Sequence, residues 1–207
     1  MMYADRREAG HTLGKSLDYL RVSEPVVLGL PRGGVPVARS VADDIDGELD
    51  VLLVRKLGVP WQPELAFGAI GEGGIRVIND DVVRSARVSD ADIAAVEAQE
   101  IGELSRRTRF LRRGHPRRAL TGRTVIVVDD GMATGATAAA ACAVVISHRP
   151  RWLVVAVPVA SHEAVRRLGR MVDEVVCPFT PGDLGGVGGA YVDFHQLADA
   201  EVTDLLE

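Results

Sequence analysis

The sequence has few cysteine, lysine and aromatic residues, and what it lacks excludes several kinds of protein. Its two cysteines, Cys142 and Cys177, lie in apolar stretches without CxxC or zinc-ligand spacing, so we expect buried free thiols. The longest apolar runs, at 138–146 and 152–160, have nine residues, about half a membrane span. HExxH, GxSxG and a basic-then-apolar leader are also absent. We therefore expect a soluble cytoplasmic protein, and neither a metalloprotease nor a serine hydrolase.

The charge of the chain is unevenly distributed. The 207 residues, of which 47% are hydrophobic and 26% charged, suffice for one compact domain. Residues 106–123 contain eight arginines and no acid, whereas residues 173–207 contain eight acids and no Lys or Arg. A basic block can bind nucleic acid, but only one aromatic residue, Phe110, interleaves with it. We favour the cationic end of a helix followed by a solvated linker, and we expect no nucleic-acid partner.

Alternating apolar strands and amphipathic helices predict an α/β fold with a doubly wound, mainly parallel sheet. Ser89 and Asp92 have capping-box spacing, which predicts a long helix with Ile101 and Leu104 on its apolar face. The glycine-rich segment 71–74 predicts the flexible tip of a hairpin. The predicted strands are 25–30, 49–55, 65–70, 75–78, 124–128, 152–157 and 174–177, and the predicted helices are 5–20, 35–45, 89–113, 135–148, 162–171 and 196–206.

The most informative stretch is 125–137, Val-Ile-Val-Val-Asp-Asp-Gly-Met-Ala-Thr-Gly-Ala-Thr, where an apolar strand ends in two carboxylates and a Gly/Thr loop (131–137) opens a helix. The free N–H groups and positive dipole of a helix start form a natural phosphate site. Adjacent carboxylates suit the vicinal hydroxyls of a sugar. The alternative is an ordinary strand–turn–helix, in which two unpartnered aspartates would be costly to bury. We therefore predict a ribose 5-phosphate site at the carboxyl edge of the sheet.

The pattern Asp129-Asp130-x-x-x-Thr134-Gly135-x-Thr137 resembles the phosphoribosyl pyrophosphate (PRPP) motif of the type I phosphoribosyltransferase family, and the resemblance covers roughly residues 25–160. It implies that Asp129 and Asp130 bind the ribose hydroxyls and take part in catalysis. It also implies Mg²⁺ as cofactor, bound mainly through PRPP, with the two aspartates as candidate protein ligands. The implied 5-phosphate site consists of Gly131, Met132, Ala133, Thr134, Gly135, Ala136 and Thr137.

A second motif, Gly-Leu-Pro-Arg-Gly-Gly at 29–34, resembles the family's pyrophosphate loop. After a strand, its two glycines expose backbone N–H groups, and the arginine offers a bidentate fork to phosphate oxygens. The resemblance implies that Arg32, Gly33 and Gly34 bind pyrophosphate, that Arg32 is catalytic, and that the peptide near Pro31–Arg32 is cis.

The basic pair Arg55 and Lys56, followed by the glycine-rich tip, is similar to the mobile loop of the orotate-using branch. This likeness assigns both side chains to pyrophosphate and Lys56 to catalysis, whereas the alternative is a pair of surface charges at a strand end. Two departures from the family's sequence patterns reduce the range of expected acceptors. Residues 57–71 contain no Lys or Arg, which disfavours orotate. Ala133 replaces the aspartate of the 6-oxopurine branch, which disfavours hypoxanthine and guanine.

The resemblance implies a single domain over 1–207, with a core at about 22–177 and a small hood formed by the chain ends, 1–21 and 178–207. The hood would form the acceptor pocket. Phe179, Tyr191 and Phe194 are candidates to sandwich a planar base, and Asp193 could accept its N–H. Hydrophobic anchoring of a loop explains the aromatic residues equally well. A homodimer is also implied, in which the acidic C-terminal segment could meet the arginine block.

The expected function is Mg²⁺-dependent transfer of ribose 5-phosphate from PRPP to a small-molecule acceptor, most simply a nucleobase, with release of pyrophosphate. An amine, water or a phosphate remains an alternative acceptor. A different class of function is a non-catalytic PRPP-sensing regulatory domain that binds nucleic acid through the arginine block. Pyrophosphate release and salt-dependent nucleic-acid binding would separate the two classes.

Overall fold

A computed structural model describes residues 2–206, which form two sheets and seven α-helices. The strands are β1 (Val26–Gly29), β2 (Glu48–Val51), β3 (Val54–Val59), β4 (Gln62–Gly71), β5 (Ile75–Ile78), β6 (Thr124–Val128), β7 (Trp152–Ala156) and β8 (Glu174–Val176). The helices are α1 (Arg6–Ser16), α2 (Gly34–Ile45), α3 (Asp80–Ala86), α4 (Asp90–Arg112), α5 (Ala136–Ser147), α6 (His162–Leu168) and α7 (Asp199–Asp204). No helix in the described part of the chain is long and apolar enough to cross a membrane.

The main sheet has five parallel strands in the order β2-β1-β6-β7-β8, with helices on both faces. The central strand β6 is buried at every position, which explains its unbroken apolar sequence. Val41 of α2 joins Ile126 in the core on one face, and Cys142 of α5 joins Val127 on the other. Burial raises the pKa of the Cys142 thiol to about 12 and that of the partly buried Cys177 to about 11. The predicted doubly wound, mainly parallel sheet is confirmed.

Strands β3, β4 and β5 form a separate antiparallel sheet. The prediction of one strand at 49–55 is therefore wrong, because these residues are divided between β2 in the main sheet and β3 in the second. The chain changes sheet at Leu52–Leu53, where the Leu52 N–H donates to the Gly29 carbonyl (3.0 Å) and the Leu53 carbonyl accepts from the Glu72 N–H (3.3 Å). Since the residues on both sides of this change are apolar, hydrophobic periodicity contains no signal for it.

Helix α4 begins with the predicted capping box. The Ser89 hydroxyl accepts from the Asp92 N–H (3.2 Å), and the Asp92 carboxylate accepts from the Ser89 N–H (3.1 Å). Leu104 is buried as predicted. Ile101 is 51% exposed instead, because it lines an open groove of about 540 Å³ between α4 and the second sheet.

The arginine-rich segment 106–123 is held by acids and carbonyls of its own chain. Arg112 donates to both carboxylate oxygens of Glu72 (2.7 and 2.8 Å), to Asp50 (2.8 Å) and to the Val51 carbonyl (2.8 Å). Its side chain is 10% exposed, and those of Glu72 and Asp50 are 5% and 11% exposed. Further pairs in this segment include Arg106 and Arg107 with Glu103, Arg117 with the Glu72 carbonyl, and Arg118 and Arg123 with Glu48. These contacts favour a structural role for the basic segment over nucleic-acid binding.

The contact with Arg112 also involves the glycine-rich tip at 71–74. Glu72 is 7% exposed and bound to Arg112 of α4, whereas Gly73 and Gly74 beside it are exposed. The neighbouring turn between β3 and β4 is also exposed, with Trp61 at 58%. Glutamate between glycines looks like a solvated turn in sequence, and its partner lies 40 residues away.

The two chain ends meet beside the carboxyl edge of the main sheet. The Tyr3 N–H donates to the Ala190 carbonyl, and the Val192 N–H donates to the Tyr3 carbonyl, both at 2.8 Å. The Tyr191 hydroxyl donates to the backbone carbonyl of Asp130 (2.5 Å), which follows β6. Helix α7 packs against α4 of the same chain. The acidic C-terminal segment therefore meets the arginine-rich helix within one chain.

Candidate active site

The two predicted binding motifs leave the main sheet side by side. β1 and β6 are neighbouring parallel strands, and Gly29 is paired with Val128 at their ends. The Leu30 N–H then donates to the Val128 carbonyl (2.9 Å). Because the carboxyl ends of parallel strands lie at one edge of the sheet, the pyrophosphate loop and Asp129–Asp130 emerge next to each other.

Two glycines bring the pyrophosphate loop into contact with the aspartate pair. A Cβ atom on Gly33 would lie 1.9 Å from Asp130 Oδ2. A Cβ atom on Gly34 would lie 2.6 Å from the Val128 carbonyl oxygen and 2.9 Å from the Asp129 Cα. Only residues without a side chain permit this close approach of backbone to carboxylate.

Arg32 lies within this loop and faces the C-terminal helix. The peptide bond between Pro31 and Arg32 is cis, as the resemblance implies. The Arg32 side chain is 36% exposed, and its Nη1 atom lies 3.8 Å from Asp199 Oδ1 at the start of α7. The guanidinium is therefore partly exposed, and the Asp199 carboxylate lies at the limit of ion-pair distance from it.

The Gly/Thr loop forms the turn between β6 and α5. Gly135 has a φ of 70°, a left-handed conformation that favours glycine, and α5 begins at Ala136. Thr134 and Thr137 are exposed, whereas Met132 is buried and its N–H donates to the Val159 carbonyl (2.9 Å). Of the residues assigned to a 5-phosphate, Met132 thus anchors the loop in the core, and the threonines remain open to a ligand.

Burial makes negative charge on the aspartate pair unfavourable. Burial raises the pKa of Asp129 well above its ordinary value, and the negative charge of Asp130 raises it further. Burial also raises the pKa of Asp130, against an opposing hydrogen bond from Arg6. The Asp130 N–H donates to Asp129 Oδ1 (2.9 Å), which fixes the first carboxylate. Carboxylates whose pKa values are perturbed in this way are typical of functional sites.

Arg6 is the site residue that sequence analysis missed. Its Nε donates to Asp130 Oδ2 at 2.9 Å, and its side chain is 9% exposed. Arginine at the start of an amphipathic helix gives no signal of burial, and its partner is 124 residues away. The contact of Arg6 with Asp130 follows from the pairing of the two chain ends, and no sequence pattern predicts that pairing.

Asparagine in place of Asp129 is expected to stabilise the folded chain by about 1 kcal/mol near neutral pH. A carboxyl whose pKa is raised on folding contributes stability below its unfolded pKa and loses that contribution as pH rises through the folded pKa. Asparagine removes this loss. The gain should therefore disappear below about pH 4, where the wild-type carboxyl is protonated in both states. Urea unfolding at several pH values measures it. The exposed Asp183→Asn is the control, and an equal gain at every pH would contradict the argument.

The basic pair lies beside the Gly/Thr loop. Arg55 Nε contacts Glu100 Oε2 at 2.6 Å, and Lys56 Nζ lies 3.6 Å from Glu64 Oε2. Both basic residues line a cavity of about 400 Å³ together with Thr137. The structure thus brings the pair next to the predicted phosphate loop, although each cation is already associated with a glutamate.

The aromatic acceptor candidates form one cluster with the N-terminus. Phe179 and Phe194 pack against buried Tyr3 and Tyr191. The Tyr191 ring is 5% exposed, so it supports the Asp130 carbonyl and is not an open stacking surface. The Phe194 ring stacks on Tyr191 with centroids 5.0 Å apart. An aromatic sandwich with a gap for a planar base is therefore not preformed in this cluster.

Asp193, the fourth acceptor candidate, is exposed. Its carboxylate accepts from the His195 N–H (3.1 Å) and contacts His195 Nδ1 (2.9 Å). These hydrogen bonds lower the pKa of Asp193 and raise that of His195. Asp193 is therefore a carboxylate already engaged with an imidazole at the rim of the hood.

A metal ion at this site would have few protein ligands. Among residues 2–206, no group of three or more His, Cys, Asp or Glu side chains is arranged to hold an ion. Asp129 and Asp130 offer carboxylate oxygens, which are ligands that Mg²⁺ prefers. The pair fits an ion that is bound mainly through the oxygens of a phosphorylated ligand.

Most of the chain is similar to known proteins. The family model "Phosphoribosyl transferase domain" matches residues 4–178. Two curated Mycobacterium tuberculosis proteins, "Putative phosphoribosyl transferase Rv0571c" (strain ATCC 25618 / H37Rv) and "Putative phosphoribosyl transferase MT0597" (strain CDC 1551 / Oshkosh), are each 52% identical over 206 residues, covering 100% of this chain and 46% of theirs. The chain thus spans about half the length of the curated relatives it matches.

A solved structure is similar over the whole chain. The crystal structure of TT1426 from Thermus thermophilus has 47% sequence identity and a TM-score of 0.93, and the match covers 100% of this chain and 98% of that one. The family match includes the pyrophosphate loop, the aspartate pair and the Gly/Thr loop. The chain therefore belongs to the phosphoribosyl transferase family.

Proposed function

We propose that the chain is a Mg²⁺-dependent phosphoribosyltransferase that transfers ribose 5-phosphate from PRPP to a nucleobase and releases pyrophosphate. The observation that carries the proposal is the contact between the pyrophosphate loop and the aspartate pair, with Gly33 against Asp130 and Gly34 against Asp129. PRPP carries a 5-phosphate, a vicinal diol and a pyrophosphate on one sugar. Its recognition needs three binding elements around one point, and the two adjacent motifs supply them.

Each element has its own task in this proposal. The Gly/Thr loop and the N-terminus of α5 bind the 5-phosphate through N–H groups and the exposed hydroxyls of Thr134 and Thr137. Asp129 and Asp130 accept hydrogen bonds from the ribose diol. The backbone of the pyrophosphate loop, with Arg32, binds the pyrophosphate. Arg55 and Lys56 would add positive charge on the side of Thr137, after leaving their glutamate partners.

The reaction exchanges one bond at the anomeric carbon. A base nitrogen forms a bond to this carbon while the bond to the pyrophosphate oxygen breaks, and the electron pair leaves with pyrophosphate. The base nitrogen loses its proton to solvent. Negative charge grows on the pyrophosphate in the transition state, where Arg32 and the loop N–H groups stabilise it. Asp129 and Asp130 are the candidate protein ligands of Mg²⁺, which would supply further positive charge to the leaving pyrophosphate.

We place the acceptor at the hood, next to the anomeric carbon. Phe179, Phe194 and Asp193 remain candidates for its recognition, although Phe194 and Asp193 already have partners within the chain. Tyr191 would not contact the acceptor in this proposal, and would instead position Asp130 through its hydrogen bond to the Asp130 carbonyl. We further propose that the protein is cytoplasmic and forms a homodimer. Sedimentation at micromolar concentration would test the dimer.

Thermal-shift titration with PRPP, with and without Mg²⁺, tests the donor site. A ligand at 100 times its dissociation constant stabilises a protein by about 2.7 kcal/mol, or roughly 5–11 °C for a domain of this size. We expect a shift that depends on Mg²⁺ and is absent in Asp129→Asn. No shift at millimolar PRPP would contradict the proposal.

A screen of nucleobases for pyrophosphate release then tests catalysis. PRPP binding without release by any base, amine or water would favour a non-catalytic PRPP sensor. That alternative also requires salt-dependent nucleic-acid binding. The contacts of the arginine-rich segment with acids of its own chain argue against it.

Arg32→Ala should lower turnover more than donor affinity. Charge on the pyrophosphate grows as the bond breaks, so Arg32 contributes more to the transition state than to the ground state. A decrease of about 10²- to 10³-fold in kcat is expected, by analogy with the loss of one oxyanion donor. Steady-state kinetics and PRPP titration measure the two quantities, with the partly exposed Arg39→Ala of α2 as control. Equal losses in kcat and affinity would contradict this role.

A further inference from the structure

We propose that Arg6 is a positioning residue for the donor site, which orients and neutralises Asp130 and ties this carboxylate to the hood. The inference rests on the proposed function, because it concerns how the PRPP site is maintained. No contact between Arg6 and substrate is required.

Three contacts fix the Arg6 guanidinium. Its Nε donates to Asp130 Oδ2 (2.9 Å), and its Nη1 donates to the His195 carbonyl (3.0 Å). Its central carbon lies 4.0 Å from the centroid of the Phe194 ring, a cation–π arrangement. One side chain from α1 therefore connects the aspartate pair to the C-terminal segment.

The position of Asp130 explains why such a cation is needed. Asp130 Oδ2 lies against Gly33, in the loop that we assign to pyrophosphate. A carboxylate there repels an anionic ligand, and it also repels the adjacent Asp129. Arg32, the basic residue of the loop, has Asp199 as its nearest carboxylate, at 3.8 Å. Arg6 supplies the compensating charge to Asp130 through a short and largely buried pair.

The geometry also requires arginine rather than any cation. The planar fork donates in two directions at once, to Asp130 and to the His195 carbonyl, while its face covers Phe194. A lysine at this position would retain the charge and lose the simultaneous contacts. The Tyr191 hydroxyl donates to the Asp130 carbonyl at the same time. Two residues of the hood therefore bind Asp130, Arg6 at its side chain and Tyr191 at its backbone.

A double-mutant cycle in PRPP affinity tests this inference. Arg6→Met, Arg6→Lys, Asp130→Asn and the double variant Arg6→Met/Asp130→Asn are titrated calorimetrically with PRPP and Mg²⁺. We expect Arg6→Met to weaken PRPP binding about tenfold or more, as for loss of a charged hydrogen bond, and Arg6→Lys to weaken it less. In the Asp130→Asn background, Arg6→Met should cause no further loss. The neighbouring exposed Arg7→Met is the matched control and should bind as the wild type.

The outcomes separate this inference from the proposed function. If the wild-type chain binds PRPP and Arg6→Met binds it equally well, the role of Arg6 is overturned and the function stands. An equal loss from Arg6→Met in both backgrounds would show that Arg6 does not act through Asp130, and it would also overturn the role. If the wild-type chain does not bind PRPP, the proposed function fails and this inference fails with it. Should Arg6→Met not fold, Arg6→Lys against Arg7→Lys makes the same comparison.

Discussion

Replacing Gly33 by alanine is expected to lower PRPP-dependent pyrophosphate release by at least about a hundredfold, because a 1 Å displacement in an active site can have an effect of this size. The added Cβ would lie 1.9 Å from Asp130 Oδ2 and 2.5 Å from its carboxyl carbon. The pyrophosphate loop and the aspartate cannot both remain in place. The backbone at Gly33, with φ −63° and ψ −31°, is one that alanine adopts readily, so the effect isolates this collision.

Gly102→Ala in α4 is the matched control for Gly33→Ala. Nothing lies within 4 Å of a Cβ atom at Gly102, which is in the middle of the helix. We expect unchanged activity and a stability gain of about 0.5–1 kcal/mol from better helix propensity. Full activity of Gly33→Ala would mean that Asp130 can move aside without loss of catalysis. The contact between Gly33 and Asp130 would then no longer support the proposed function.

Arg112→Met is expected to have the largest effect on stability, a loss of about 3–5 kcal/mol in the free energy of unfolding. It leaves the carboxylates of Glu72 and Asp50 buried without their counter-ion, and it removes the donor to the Val51 carbonyl. For a domain of this size the melting temperature should fall by roughly 6–20 °C. Denaturant and thermal unfolding measure both quantities.

A rescue variant distinguishes unpaired charge from lost packing. Combining Arg112→Met with Asp50→Asn and Glu72→Gln should restore part of the stability, because neutral amides are less costly to bury than unpaired carboxylates. Arg106→Met, which breaks an exposed pair with Glu103, should leave stability nearly unchanged. A loss from Arg106→Met as large as that from Arg112→Met would contradict the assignment of stability to the buried cluster.

Sequence reasoning succeeded where neighbouring residues determine the structure. Only a few residues separate the Asp129–Asp130 pair from the turn at Gly135 and the start of α5. The capping box joins Ser89 to Asp92, three positions later. In each case the residue types themselves determine the local hydrogen bonds. α3 was omitted although its signal is local: Asn79 caps the helix by accepting from the Asp81 N–H, and acidic residues occupy its first turn.

The remaining features depend on partners distant in sequence. Arg6 and Asp130 are 124 positions apart, and Arg112 and Asp50 are 62 positions apart. A lone charged residue has no pattern that shows whether it will be buried with a partner or left in water. Tyr191 is a further example. An aromatic ring is chemically suited to stack on a base, but the sequence does not show that the two chain ends meet and bring the Tyr191 hydroxyl to the Asp130 carbonyl.

The meeting of the chain ends has a consequence for synthesis on the ribosome. Asp130 is held by Arg6, which is synthesised before β6, and by Tyr191, which is synthesised after it. A nascent chain that ends before residue 190 therefore contains both predicted binding motifs but lacks the hydrogen bond from Tyr191 to the Asp130 carbonyl. Under the proposed function we therefore expect donor binding to require the C-terminal segment, and loss of either Arg6 or Tyr191 removes a contact of Asp130.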